Sequence, residues 1–159
     1  MVGEMGALDG TDPKKFITDF FTSFMSDLAR GDEDPTVIVD RYHTPDIVQV
    51  ADGNLMDRAK LIAHTRPARK HQTGARWEVH EAIADEDRIA ARYTLHFQTS
   101  KREGSVDVHF FGQFAADGRM RRAHMLTRSV PAKVSGAAPA EVSSESSPPE
   151  APDRRQSPA

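Results

Sequence analysis

Arg92-Tyr93-Thr94-Leu95-His96-Phe97-Gln98 alternates apolar and polar side chains, and flanking segments repeat the pattern with Trp77 and Val79 before it and Val108, Phe110 and Phe114 after it. A period of two is the pleat of a half-buried strand. Four such segments follow one another, over 76–84, 88–98, 106–115 and 119–128. Asp85-Glu86-Asp87, the stretch 101–105 and Asp117-Gly118 supply turn residues between them, and joints this short require antiparallel neighbours. Alternation sends Trp77, Val79, Tyr93, Leu95, Phe97, Val108, Phe110, Phe114, Ala123, Met125 and Thr127 to one face of the sheet. Glu78, His80, Thr94, His96, Asp107, His109, Phe111, His124, Leu126 and Arg128 go to the other.

Upstream the period lengthens to about 3.6. Phe16, Phe20, Phe24 and Leu28 recur every four residues, flanked by Ile17, Phe21 and Met25, and the stripe stops at Gly31. Asp12-Pro13 and Asp34-Pro35 each offer a carboxylate N-cap followed by proline at the first helical position. The second helix is expected to end near Tyr42. A strand is expected over 47–51, a turn at Asp52-Gly53-Asn54, and a third helix capped by Asp57 and ended near Pro67. Three helices and a meander predict an α+β domain with its helices on one face.

The 159 residues suit a single domain, and 38% hydrophobic with 28% charged residues is a globular composition. The expected domain covers 13–130, after a flexible N-terminus over 1–12. Six of the 10 prolines fall in 131–159, a stretch without an aromatic residue, which is expected to be a disordered Ala/Ser/Glu/Pro-rich tail. With no cysteine there is no disulfide, thiolate nucleophile or thiolate-held metal. A net charge of -3 offers no general attraction for nucleic acid or an anionic membrane, and neither is an expected partner. The basic runs 66–70 and 119–122 are short and read as solvated surface. Residues 1–12 have neither the basic region nor the apolar core of a secretory leader, so the expected address is cytoplasmic.

Order and spacing add a resemblance. The aromatic helix ends in Ala29-Arg30-Gly31-Asp32, Tyr42-His43-Thr44-Pro45-Asp46-Ile47-Val48 follows, Gly53-Asn54-Leu55-Met56-Asp57 opens a helix, and Phe114-Ala115-Ala116-Asp117-Gly118-Arg119-Met120 makes the last hairpin. Together they resemble the nuclear transport factor 2-like superfamily, and within it the SnoaL-like group, over about residues 14–128. The resemblance implies a cone-shaped α+β barrel, three helices packed in the concave face of a curved, mainly antiparallel sheet, with an apolar pocket inside. Polyketide cyclases, ketosteroid isomerase, limonene epoxide hydrolase, scytalone dehydratase and non-catalytic binding domains share that shape, so function must be argued from the site.

Ketosteroid isomerase-like members need a carboxylate base and buried acidic donors. Counting along the matched segments puts those places at Phe24, Val50 and Phe110, three inert side chains, unless a one-residue shift substitutes Asp52 or Asp107. The inward middle strands are too apolar to activate water. The remaining candidates for moving protons are His64 on the third helix, with Tyr42 or Tyr93. The expected pocket is walled by Phe20, Phe24, Val48, Val50, Tyr93, Phe110, Met125 and Thr127, and suits a flat hydrophobic small molecule. The first reading is therefore a ligand-binding domain; the second is a cofactor-independent cyclase, isomerase or dehydratase acting on a polyketide, steroid or terpenoid-like substrate; the third is a dimeric interaction module.

His80, His96, His109 and His124 share the outer parity, but no His-x-His or His-x-x-x-His pair exists and no supporting carboxylate set is legible, so neither a metal nor a cofactor is expected. Phe111 and Leu126 on that face point instead to a homodimer through the outer sheet surface, with the histidines making it pH-sensitive.

Overall fold

The computed structural model describes residues 6 and 8–131, and the backbone alone of 68–73. The tail expected over 131–159 lies outside the described residues except for Pro131. Helix α1 (Pro13–Arg30) begins where Asp12 Oδ1 accepts from Lys14 N at 3.0 Å, and ends at Gly31 in the left-handed region, φ 72°. Helix α2 (Pro35–Tyr42) starts the same way, Asp34 Oδ1 accepting from Thr36 N at 2.8 Å. Side-chain carboxylates thus satisfy amide groups that a helix start leaves without partners. Strands β1 (His43–Ala51) and β2 (Asn54–Asp57) form a hairpin, and helix α3 (Arg58–His71) follows, Asp57 Oδ1 accepting from Lys60 N at 2.9 Å. The meander is β3 (Gln72–Asp85), β4 (Arg88–Thr99), β5 (Glu103–Phe114) and β6 (Met120–Val130).

The six strands run in the order β2-β1-β6-β5-β4-β3, every neighbouring pair antiparallel except β1 with β6. The sheet is curved but open, with β2 and β3 at its edges, so the expected barrel is an unclosed one. The α+β class and the three helices stand as expected. Three local expectations are corrected. β2 replaces what reads as a turn, because Asn54-Leu55-Met56-Asp57 folds back on β1 across the left-handed Asp52 and Gly53. Helix α3 continues past Pro67, losing only the hydrogen bond that its ring nitrogen cannot donate. And Leu8, within the segment expected to be flexible, is 5% exposed and part of the core.

The core joins Ile17 and Phe20 of α1, Val39 of α2 and Leu61 of α3 to Ile47, Val79, Tyr93, Val108, Phe110 and Phe114 on the sheet. Phe16 and Phe20 meet Phe114 edge-on at 5.0 and 5.4 Å, while Phe21 meets Tyr93 at 5.4 Å and Phe110 at 5.7 Å. Between Phe110 and Phe114 sits buried Gly112, where a Cβ would lie 2.5 Å from Phe110 Cζ and 3.0 Å from Phe114 Cε2. His43 closes α2: both its backbone N–H and its ring Nδ1 reach Val39 O, the latter at 2.9 Å. The ring is buried, and burial pushes its pKa below the ordinary value.

Two stability predictions follow from these contacts. Gly112→Ala should destabilise the fold by about 1–3 kcal/mol in urea unfolding, the usual cost of overpacking, while Gly74→Ala, with nothing near its Cβ position, should change it by less than about 0.5 kcal/mol. A buried neutral histidine is protonated in the unfolded chain before the folded one, so its contribution is complete above the unfolded value of about 6.5 and falls as pH drops below it. The Tm should therefore decline from pH 7 to pH 5, and His43→Asn, whose amide can replace the bond to Val39 O without titrating, should flatten that decline.

Candidate functional site

Helices cover the concave face unevenly. The cross-strand row Val79, Tyr93 and Val108 is buried at 7%, 3% and 3% exposure, whereas the next row towards the β4–β5 hairpin, Trp77, Leu95 and Val106, is only half-buried. Phe21 and Phe24 of α1 and Met125 of β6 border the same region and are half-buried too. Trp77 stacks on Phe21 at 5.8 Å with 9° between the rings, and Phe24 stands edge-on to Tyr42 at 5.3 Å and His43 at 5.1 Å. A patch of rings and aliphatic side chains thus lies at the thinly covered end of the cone.

The residues expected to wall a pocket separate into three groups. Phe24 and Met125 lie at this patch, and Phe20, Tyr93 and Phe110 are buried behind it. Thr127 is tied up, because Asp52 accepts from both its N–H, at 2.8 Å, and its hydroxyl. Val48 and Val50 are on the opposite face. Ile47, 1% exposed, fixes the parity of β1, and its outward neighbours pair with Arg122 and His124. The base place counted onto Val50 therefore falls on the wrong side, and the inward neighbours Gln49 and Ala51 carry no carboxylate.

Among the groups expected to move protons, His64 is exposed on α3. Tyr42 donates its hydroxyl to Asp27 Oδ2 at 2.6 Å, a carboxylate that also binds Arg30 and Arg41; burial and this bond push the phenol up to about 12. Tyr93 is buried among Phe21 and Phe110, and burial raises its pKa as well. The structure brings Tyr93 to the concave region and leaves His64 and the Tyr42 hydroxyl outside it. The two carboxylates that a shifted count would offer are structural. Asp52 fastens the β1–β2 turn to β6, its own N–H donating to Met125 O at 3.0 Å, and Asp107 faces outward.

On that outer face Asp107 accepts from Thr94 Oγ1 at 2.7 Å and from Arg128 at 2.9 Å. The single hydroxyl proton of Thr94 goes to the carboxylate, so His80 Nε2, 2.7 Å from the same oxygen, must donate. His96 lies 2.8 Å from both Glu78 Oε2 and Ser105 Oγ. Hydrogen bonds from these partners hold Asp107 and Glu78 below the usual carboxylate range. Among the described residues no group of three or more His, Asp or Glu side chains is placed to hold a metal ion.

Sequence reasoning missed two features of this region. The part played by His43 was hidden because seven histidines offered no spacing to single one out. The tilt of β1 was hidden because Ile47, Val48 and Val50 are all apolar, leaving parity undetermined.

The fold has close parallels. Solved structures similar to it include AusH from Aspergillus nidulans (12% identity, 76% of this chain and 88% of that one, TM-score 0.57) and the BvnE pinacolase from Penicillium brevicompactum (11%, 73% and 85%, 0.54). An LEH-like epoxide hydrolase of M. tuberculosis is also similar (16%, 72% and 84%, 0.55). Identities this low establish the shape alone. No curated protein sequence matches the chain at a significant level. No helix among the described residues is long and apolar enough to cross a membrane. The SnoaL-like domain pattern matches residues 18–123, from the aromatic stripe of α1 to the middle of β6, and the chain belongs to that family.

Proposed function

We propose that this protein binds a flat, hydrophobic small molecule against the open end of its concave face. The observation that carries the reading is the half-buried row Trp77, Leu95 and Val106, continued by Phe21, Phe24 and Met125, at the one end of the concave sheet that the helices cover thinly. Apolar surface of this kind gains about 25 cal/mol for each Å² that a ligand removes from water. Catalysis of cyclisation, isomerisation or dehydration in the same place is the alternative raised by the likeness to a pinacolase and an epoxide hydrolase. It is the second choice because the carboxylates near the site serve the fold and His64 faces solvent.

A second copy of the chain is the partner that the outer face fits. Leu55, Ile83, Phe111 and Leu126 are 52%, 73%, 65% and 59% exposed, and strand pairing puts all four on that face. Hollows of about 270 Å³ and 300 Å³ flank Phe111, bordered by Ile83, Ala90 and His109 on one side and by Val48, Val50 and His124 on the other. A two-fold axis would let each copy seat its Phe111 in the other's hollow.

Thermal shift with aromatic polyketides, steroids and terpenoids tests the first reading. A true ligand at about a hundred times its Kd adds about 2.7 kcal/mol, a rise of several degrees in Tm, and Phe24→Ala should lose most of it. Bound compounds recovered unchanged by mass spectrometry support binding, while conversion would replace it with catalysis. Sedimentation at pH 8 should give a dimer for the wild type and a monomer for Phe111→Asp; a monomeric wild type would remove the second copy.

A further inference from the structure

One buried polar atom near the concave site has no duty in the fold, and it is Nε2 of His43. The residue is 2% exposed. Its Nδ1 stands 2.9 Å from Val39 O, and because a carbonyl only accepts, Nδ1 must carry the hydrogen. The neutral ring then presents a lone pair at Nε2. Among the described residues Nδ1 makes the ring's only hydrogen bond, yet no sealed side-chain nitrogen or oxygen lacks a partner. Nε2 therefore borders open space and not packed protein.

The ring's surroundings are aromatic and uncharged. It stands edge-on to Phe20 at 6.0 Å and to Phe24 at 5.1 Å, directly under the part of α1 that borders the apolar patch. The nearest acidic group on its own side, Asp40, is held by Arg58 through two bonds of 2.7 and 2.8 Å. Asp27, beyond Phe24 and Tyr42, is occupied by Tyr42, Arg30 and Arg41. Neither carboxylate is free to bond the imidazole, so its open nitrogen is left for something that enters from outside.

We infer that His43 Nε2 accepts a hydrogen bond from a hydroxyl of the bound molecule, so that the concave site selects flat ligands carrying an acidic O–H over their ethers and hydrocarbons. The inference rests on the reading of that face as a ligand site. Its physical basis is an asymmetry: a hydroxyl buried without an acceptor is penalised, while one that meets a fixed lone pair is not. Val39 O locks the tautomer, so the acceptor is in place before the ligand arrives and no ring flip is needed. The same lock makes Nε2 the one position in the aromatic floor able to take up a proton from such a ligand.

The test compares 2-naphthol, 2-methoxynaphthalene and naphthalene on the full chain by equilibrium dialysis at pH 7.5. The expected result is about fivefold tighter binding of the naphthol than of its methyl ether, the size of one neutral hydrogen bond. In His43→Asn, whose amide keeps the bond to Val39 O but ends short of Nε2, the preference should vanish while naphthalene binds as before. The 15N resonance of His43 Nε2 in the wild type gives a readout that needs no variant: the naphthol should move it and the ether should not. Equal binding of naphthol and ether, or a preference that survives in His43→Asn, overturns the inference and leaves the apolar site standing. Failure of all three probes to bind overturns both.

Discussion

Everything in this molecule depends on how the rings of α1 lie on β5. Phe16, Phe20 and Phe21 each meet Phe110 or Phe114 at 5.0 to 5.7 Å, and edge-to-face pairs of this kind contribute about 0.5–1.5 kcal/mol beyond the area they bury. Two large rings on alternate inward positions leave no room for a third side chain between them, which is why position 112 is glycine. The helix is consequently held close to the sheet at its N-terminal half. Towards Phe24 the contact partners change from sheet to α2 and β1, through Tyr42 and His43, and the sheet beyond Tyr93 is left thinly covered. The site is thus a by-product of where the close contact stops.

Much of this was legible in the sequence, for identifiable reasons. The four-residue recurrence from Phe16 to Leu28 and the Asp-Pro starts are local signals, and local signals survive folding. The strands of the meander alternate because one face is dry, and the structure returns Tyr93, Val108 and Phe110 inward as the alternation requires. What could not be read depends on partners far along the chain. β2 exists only because β1 is available to pair with it, and the parity of β1 is settled by its parallel contact with β6, more than 70 residues away. The bulge between Val79 and Glu81 is similarly silent: it puts His80 out of step and turns Ile83 outward, which simple alternation does not foresee.

The candidate site was less legible than the fold because its polar atoms are defined by what they lack. Thr127, Tyr42, Asp52 and Asp107 are all chemically suitable, and each is committed to a neighbour once the chain is folded. A sequence lists functional groups without saying which ones the fold consumes. His43 shows the reverse case, since capping α2 consumes one nitrogen of its ring and spares the other.

That accounting also bears on catalysis against binding. A reaction that builds negative charge in an apolar cavity depends on donors aimed at that charge, and losing one such donor typically costs about 2.7–4 kcal/mol of barrier lowering. In the concave region the phenol of Tyr93 is the donor on offer, and burial keeps it protonated. The carboxylates that would serve as bases are on the outer face or locked in turns, and the acidic side chain at the end of α1, Asp27, is already neutralised by two arginines. An interior with one phenol, one imidazole and many rings is well suited to discriminating shape and a single hydroxyl. It is poorly suited to stabilising an enolate or activating water, which places molecular recognition ahead of bond-making in this branch of the fold.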